Sequence, residues 1–340
     1  MSYDHTDVIA VFDIGRTWKR FQLFDRSLNP VQTEEKIIGE VLDSEGHPCD
    51  DLPAIEKWII SSLGEVISDS IYRILAVSLA AGDGCLSGLE SDLAEMLKSA
   101  HVSVKPRKCH ILNSSTVSII PYLKDTDKTF VLVSTGTWCI FMNPFDREPL
   151  TDAQKESGNA EIMTVAGKQV KSSRFLLGEI HDRNVTMLDD HFGVTGELYK
   201  TIRIKSKKIV KMEANKRGRS FFRHGIPEGL ADREADLAHF LTYADAYHQM
   251  MYDLVDECMG AYRLIMPEDD NTEIVYVTGG FARNDTFMRI LAARLPDKRV
   301  YASTIDYATA LGAAMELYSE AFDAELPPVY LGLKAILDND

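Results

Sequence analysis

The stretch Val11-Phe-Asp-Ile-Gly-Arg-Thr-Trp-Lys-Arg-Phe-Gln-Leu-Phe-Asp25 decides how the rest of the chain is read. Val8 to Phe12 is a run of apolar residues and reads as a buried strand. Asp13-Ile14-Gly15 interrupts it, and a second strand starts after Lys19, with Phe21 and Leu23 alternating. The result is a β-hairpin with a polar turn. Its eight residues from Asp13 to Arg20 hold one carboxylate, one glycine, one hydroxyl and three cations. Such a turn is either a plain reversal carrying solvated charge or a cradle for phosphate. In the second case Gly15 lets the backbone bring N–H groups up to an anion. Thr17 then adds a hydroxyl donor, and Asp13 holds Mg²⁺ through water, since Mg²⁺ takes only one or two carboxylates beside phosphate oxygens.

Working outward, the pattern gives strands at 8–13, 20–25 and 31–37, and a helix from Leu52 to Ile67 with Pro53 in its first turn. A strand follows from Arg73 to Ala80, ending in Ala81-Gly-Asp-Gly84. Glu90 to Ala100 reads as helix, Lys108 to Leu112 as strand, and Ser114 to Leu123 as a helix capped by Asn113 or Ser114. The polar run Lys124-Asp-Thr-Asp-Lys128 closes a first domain, 1–126. A similar order begins again in a second, 127–340. Phe130 to Ser134 and Cys139 to Met142 form a hairpin around Thr135-Gly-Thr137. Glu161 to Val165, with Lys168 and Val170, supplies a third strand. Ala235 to Ile265 is a long helical region, and Glu273 to Thr278 is a strand ending in Gly279-Gly280. Asn284 to Leu295 is helix, Arg299 to Ala302 strand, and Tyr307 to Ala321 helix. Two units of one topology, each opening on a hairpin whose turn holds Gly and Thr, predict a ligand cleft where they face each other.

Composition narrows the class. The chain has 340 residues, 45% hydrophobic and 26% charged, as in ordinary globular proteins of about two domains. No apolar run reaches the roughly 18 residues of a membrane span, and the acidic start Met1 to Asp7 does not read as a signal peptide. Cysteines at 49, 85, 109, 139 and 258 form no C-x-x-C pair, so a zinc ribbon and a disulfide framework are both disfavoured and a cytoplasmic location is expected. A net charge of −15 argues against nucleic acid as a partner. The basic run from Arg203 to Arg223 is read as a solvated loop or exposed strand, because aromatics are not interleaved through it.

Two further motifs carry chemistry. Val133-Ser-Thr-Gly-Thr-Trp138 places Gly136 between hydroxyl residues at a strand end, suited to a phosphate or to a tight hairpin. Val275-Tyr-Val-Thr-Gly-Gly-Phe-Ala-Arg-Asn284 ends a strand in two glycines before a helix, which suits either a plain strand–helix turn or a flat ring against bare backbone with an anion at the helix start. With the first turn, these segments resemble the FGGY-type carbohydrate kinases of the actin-like ATPase superfamily. Phe12 to Asp25 is similar to the first phosphate motif, Ser134 to Trp138 to the second, and Val165 to Arg174 to a further family segment. Val277 to Asn284, together with Ala308 to Ala314, is similar to the adenosine-binding region. The resemblance implies an α/β chain of two ribonuclease H-like domains facing a nucleotide cleft, with ATP and Mg²⁺ bound there. Asp13 would position the metal. Gly15, Arg16, Thr17, Gly136 and Thr137 would hold the phosphates, and Gly279, Gly280 and Asn284 would lie at the adenosine. The implied activity moves the γ-phosphoryl group to a sugar hydroxyl, with a pentulose or deoxyketose favoured and a base accepting the proton.

The chain departs from the family pattern in three places. Between Cys85 and Cys109 one helix stands where a long insertion normally builds the sugar pocket. In Ile111-Leu-Asn-Ser-Ser-Thr-Val-Ser118, Ser114 falls where the family's catalytic Asp is expected, and neither it nor Asn113 is a carboxylate. Val77 to Asp83 offers Ala80 and Ala81 where polar sugar ligands are usual, leaving Asp83 either as a turn residue between glycines or as a possible substitute sugar ligand or base. The alternative expectation is therefore a catalytically impaired homologue that binds a nucleotide or a sugar.

Overall fold

The computed structural model describes residues 5–15, 18–44, 46–82, 109–165, 167–215 and 220–337. In chain order the first strands are β1 (Thr6–Ile14), β2 (Trp18–Phe24), β3 (Pro30–Ile37), β4 (Glu40–Leu42) and β5 (Pro48–Asp50). Helix α1 (Leu52–Asp69), β6 (Tyr72–Ala81), β7 (Cys109–Asn113), α2 (Ser114–Ser118) and α3 (Ile120–Asp125) follow. The second stretch runs β8 (Phe130–Thr135), β9 (Cys139–Asn143), α4 (Asp152–Glu156), β10 (Ala160–Val165), β11 (Lys168–Phe175), α5 (Leu177–Phe192) and α6 (Ser206–Ala214). It continues through α7 (Tyr243–Leu264), β12 (Ile274–Gly279), α8 (Asp285–Arg294), β13 (Arg299–Ser303), α9 (Ala308–Phe322) and β14 (Leu333–Ala335). The chain divides into two compact units: Met1–Thr126 with Tyr307–Tyr330, and Asp127–Asp306 with Leu331–Asp340. The segment Ala308 to Ala314, likened in sequence to part of the adenosine region, thus belongs to the first unit.

The first unit is built on a five-stranded sheet of order β3-β2-β1-β6-β7. β1 is antiparallel to β2 and parallel to β6, and β6 is parallel to β7. Val8, Ala10, Phe12 and Ile14 face one side and pack on Ile55, Trp58, Ile59, Leu63 and Val66 of α1. Asp51 starts that helix by accepting the Ala54 N–H at 3.1 Å. Glu34 on β3 anchors it, taking Trp58 Nε1 at 2.7 Å and Ser62 Oγ at 3.0 Å. α9 packs on β1 and β6, and the intervening β1 residues Ile9 and Val11 are fully buried. A strand covered on both faces reads as a continuous apolar run rather than an alternating one, as Val8 to Phe12 does. The Asn113 side chain caps α2 through the Thr116 N–H at 3.0 Å, and the sequence-predicted single helix from Ser114 is broken at Ile119 into α2 and α3.

The second unit has a seven-stranded sheet of order β10-β11-β9-β8-β12-β13-β14. Its strands β11-β9-β8-β12-β13 repeat the antiparallel, antiparallel, parallel, parallel scheme of the first unit. The expected third strand over 161–170 is instead a hairpin, β10 against β11. Gly167 turns the chain there with φ +75°, a conformation that glycine alone adopts without cost. The basic run is also corrected: Ser206–Ala214 is helical, buries Ile209, and pairs Lys208 with Asp245. Lys216, Arg217 and Arg219 lie outside the described residues. No described helix is long and apolar enough to cross a membrane.

Two helical glycines separate packing from propensity. A Cβ on Gly312 of α9 would sit 1.9 Å from the Val117 carbonyl oxygen, whereas one on Gly260 of α7 would meet nothing within 4 Å. Gly260→Ala is expected to stabilise the fold by about 0.5–1 kcal/mol, and Gly312→Ala to destabilise it by roughly 1–3 kcal/mol or more. Thermal melting of the two variants checks both signs.

Candidate functional site

In the first unit the carboxyl ends of β1, β6 and β7 lie in register. Asp13 is beside Ala80, and Ala81 is beside Asn113. Asp13 faces Arg20 across the hairpin. The turn after it is closed by the Gly15 N–H bonding the Trp18 carbonyl at 3.1 Å. A Cβ on Gly15 would come within 2.8 Å of that oxygen, so a larger residue would push the turn open. Ser114 is the first residue of α2, two strands away from Asp13, or roughly 10 Å by strand spacing. No other carboxylate stands at these three strand ends among the described residues. Arg16, Thr17 and Asp83 lie outside the described residues.

Although Asp13 as a residue is only partly shielded from solvent, its carboxyl group is enclosed. Burial pushes its pKa up to about 6, with the Arg20 charge pulling the other way. Both described cations of the turn are already engaged: Lys19 Nζ lies 2.9 Å from Asp50, and Arg20 Nε 2.6 Å from Glu35. An enclosed lone carboxylate fits a Mg²⁺ site completed by phosphate oxygens and water. Among the described residues no three His, Cys, Asp or Glu side chains converge to hold a metal without a ligand.

In the second unit the hairpin β8–β9 closes in the same way, the Gly136 N–H bonding the Trp138 carbonyl at 2.9 Å. That N–H is therefore spent inside the turn, and the Thr137 hydroxyl and N–H are the groups left to meet an anion there. Helix α5 presses on the turn from its first residues: the Gly178 N–H bonds the Thr137 carbonyl at 2.9 Å. A Cβ on Gly178 would lie 2.3 Å from the Gly136 oxygen. Sequence reasoning missed Gly178, because nothing local marks a helix-start glycine as touching a turn four tens of residues earlier.

The double glycine divides its work. Gly279 has φ +88°, and a Cβ there would sit 1.8 Å from the Thr135 carbonyl oxygen, so it serves the packing of β12 on β8. Gly280 is exposed, and a Cβ on it would meet nothing within 4 Å, so its backbone is the one open to a ligand. Thr135 ties this turn to the β8 end, its Oγ1 donating to the Thr278 carbonyl at 2.5 Å and accepting the Phe281 N–H at 3.1 Å. Asn284 caps α8 by accepting the Phe287 N–H at 3.0 Å, and its Nδ2 donates to the Tyr247 hydroxyl at 2.7 Å. Tyr247 in turn meets His181 Nε2 at 3.1 Å, while His181 Nδ1 meets Asp182 at 2.8 Å. Burial pushes the Tyr247 phenol pKa up, which keeps its proton available to the imidazole. Thus Gly136, Thr137, Gly279, Gly280 and Asn284 are brought together in the second unit, while Asp13, Gly15 and Ser114 gather in the first.

The Asp13 environment has a consequence for stability. The raised pKa means that ionisation opposes folding: the cost is absent below the unfolded value near 3.8 and complete above about 6. Asp13→Asn, uncharged and of the same shape, should melt with the native protein near about pH 4. It should be more stable by up to roughly 3 kcal/mol above about pH 7. A variant less stable than the native chain at neutral pH would show that the carboxylate is fully compensated.

Comparison with known proteins follows the same lines. Residues 127–325 match the family model for the carbohydrate kinase FGGY C-terminal domain. No curated protein matches by sequence. Among solved structures, a carbohydrate kinase from Novosphingobium aromaticivorans is similar at TM-score 0.60 and 15% identity, covering 97% of each chain. A ligand-bound xylulose kinase from Lactobacillus acidophilus gives TM-score 0.65 and 11% identity, over 97% of this chain and 93% of that one. A gluconate kinase from the same organism gives 0.66 and 10%, over 98% and 93%. At such identities these likenesses speak for the fold, which is the two-domain actin-like ATPase fold. With more than half of its length matched to the family model, the chain belongs to the FGGY carbohydrate kinase family.

Proposed function

We propose that the protein is an ATP-dependent carbohydrate kinase that moves the γ-phosphoryl group to a sugar hydroxyl, with a pentulose or deoxyketose as the favoured acceptor. The observation that carries the reading is Gly280: an exposed backbone position, open on its Cβ side, in a turn held rigid by Thr135. That combination serves ligand approach and is not needed for packing. Thr137 in the second turn, and Arg16 and Thr17 in the first, are assigned to the phosphates, Gly15 and Gly136 to shaping those turns, and Gly279 and Asn284 to holding the adenosine turn in place. Asp13 is assigned to Mg²⁺, which when bound supplies charge neutralisation to the phosphates. Phosphoryl transfer is mostly positioning and electrostatics, so these residues account for most of what the reaction asks of the chain. The acceptor proton is the remaining need. Ser114 is assigned to the family's base position and is no carboxylate, and a missing general base costs about 10²–10⁴ in rate; Asp83 is the candidate substitute. The partners are therefore ATP and a small sugar, with a cytoplasmic setting and no role for nucleic acid or membrane.

The lack of a carboxylate at Asn113 and Ser114 favours one second reading, a catalytically impaired homologue that binds nucleotide or sugar. ADP release measured with pentuloses, deoxyketoses and glycerol separates the two. Sugar-stimulated turnover that Asp13→Ala abolishes supports the kinase. Calorimetric binding of ATP with Mg²⁺, but no turnover with any sugar, supports the second reading instead.

The glycine pair gives a sharper check. Gly280→Ala should leave thermal stability within about 0.5 kcal/mol, as for surface changes away from packing, yet weaken ATP binding. Gly279→Ala should lower stability by several kcal/mol, on the order of the cost of a core clash plus a strained φ.

A further inference from the structure

The second turn has no charge of its own: from Ser134 to Ile140 the sequence holds no acidic or basic side chain. The fold brings one to it. Arg174 on β11 is paired in register with Ile140 on β9, and its guanidinium lies over the Trp138 indole, Cζ 5.1 Å from the ring centroid. Trp138 directly follows Thr137 and is 40% exposed. The strand beneath Arg174 is fixed on both sides, the Arg174 N–H bonding the Asn159 carbonyl at 3.1 Å and Ser173 Oγ the Ala261 carbonyl at 2.6 Å. Arg174 is exposed, and among the described residues no carboxylate pairs with it. In a chain of 52 acidic and 37 basic residues, a guanidinium held by an aromatic face instead of an acid keeps its fork of donors for an outside anion.

We propose that Arg174 binds the phosphate chain of the nucleotide at the second turn, and that Trp138 is a positioning residue that holds the guanidinium there by stacking. This rests on the nucleotide reading above and adds to it the cation of the second unit. It also gives the exposed Trp138 a role that the turn alone does not need.

The test is titration of ATP with Mg²⁺, and of inorganic tripolyphosphate with Mg²⁺, into the native protein and into Arg174→Ala, Arg174→Lys, Trp138→Leu and the Arg174→Ala/Trp138→Leu pair. Arg174→Ala should weaken both ligands by about ten- to a hundredfold, the loss of a charge-assisted hydrogen bond, without lowering the melting temperature. Arg174→Lys should recover part of the loss, since charge returns without the planar fork. Trp138→Leu should weaken binding by a factor of about two to five and cause no further loss once Arg174 is gone. Native ATP affinity in Arg174→Ala overturns the proposal while leaving the nucleotide reading intact. So does a loss confined to ATP and absent for tripolyphosphate, which would put the side chain at the nucleoside. Losses from Trp138→Leu that add fully to those of Arg174→Ala overturn the positioning role. A native protein that binds neither ligand overturns both the proposal and the reading beneath it.

Discussion

In each unit a glycine N–H reaches the carbonyl of a tryptophan at the entry to the next strand: Gly15 bonds Trp18, the first residue of β2, and Gly136 bonds Trp138, the residue just before β9. This one hydrogen bond sets what can stand at the strand end. It closes each reversal within two or three residues of the glycine. It also sets the register of the hairpin, and through β1 and β8 the register of the parallel strands beside them. Asp13, Thr135 and Gly279 keep their places because those registers are fixed.

At the double-glycine turn, close packing and open backbone fall on neighbouring small residues. Gly279 and Gly280 are adjacent and chemically identical, yet one fills a contact with the Thr135 carbonyl and the other faces open space. Asn284 is similar: its carbonyl caps α8 and its amide meets Tyr247, so its role is to hold the turn. At the start of α2, by contrast, folding does not explain the choice of residues. Aspartate caps a helix as well as asparagine does and is favourable in the first helical turn. The absence of a carboxylate at Asn113 and Ser114 is therefore not imposed by the helix.

Much of this was legible in the sequence, for local reasons. Apolar runs marked β1, β6, β8 and β12, and glycines marked the turns that follow them. The fold class and family followed from those turns taken together. Helix α5 was not legible, because its buried stripe includes His181 and Asn184. Asn184 is satisfied inside by donating to the Ile180 and Leu230 carbonyls, each at 2.7 Å, so a polar residue sits where periodicity looks for an apolar one. Helix α6 buries only Ile209, too little for a stripe to show among its lysines. The stack of Arg174 on Trp138 joins β11 to the β8–β9 turn and has no signature in either segment alone.

The contact at Gly178 carries an evolutionary consequence. Most tight packing can drift, since a larger group on one side is offset by a smaller one on the other. Here the obstacle to a side chain at position 178 is the Gly136 carbonyl oxygen, an atom every amino acid possesses. No compensating replacement at position 136 exists, so the position has no partner with which to covary. Descendants of this chain are expected to keep glycine at 178 or to lose the turn's present path altogether.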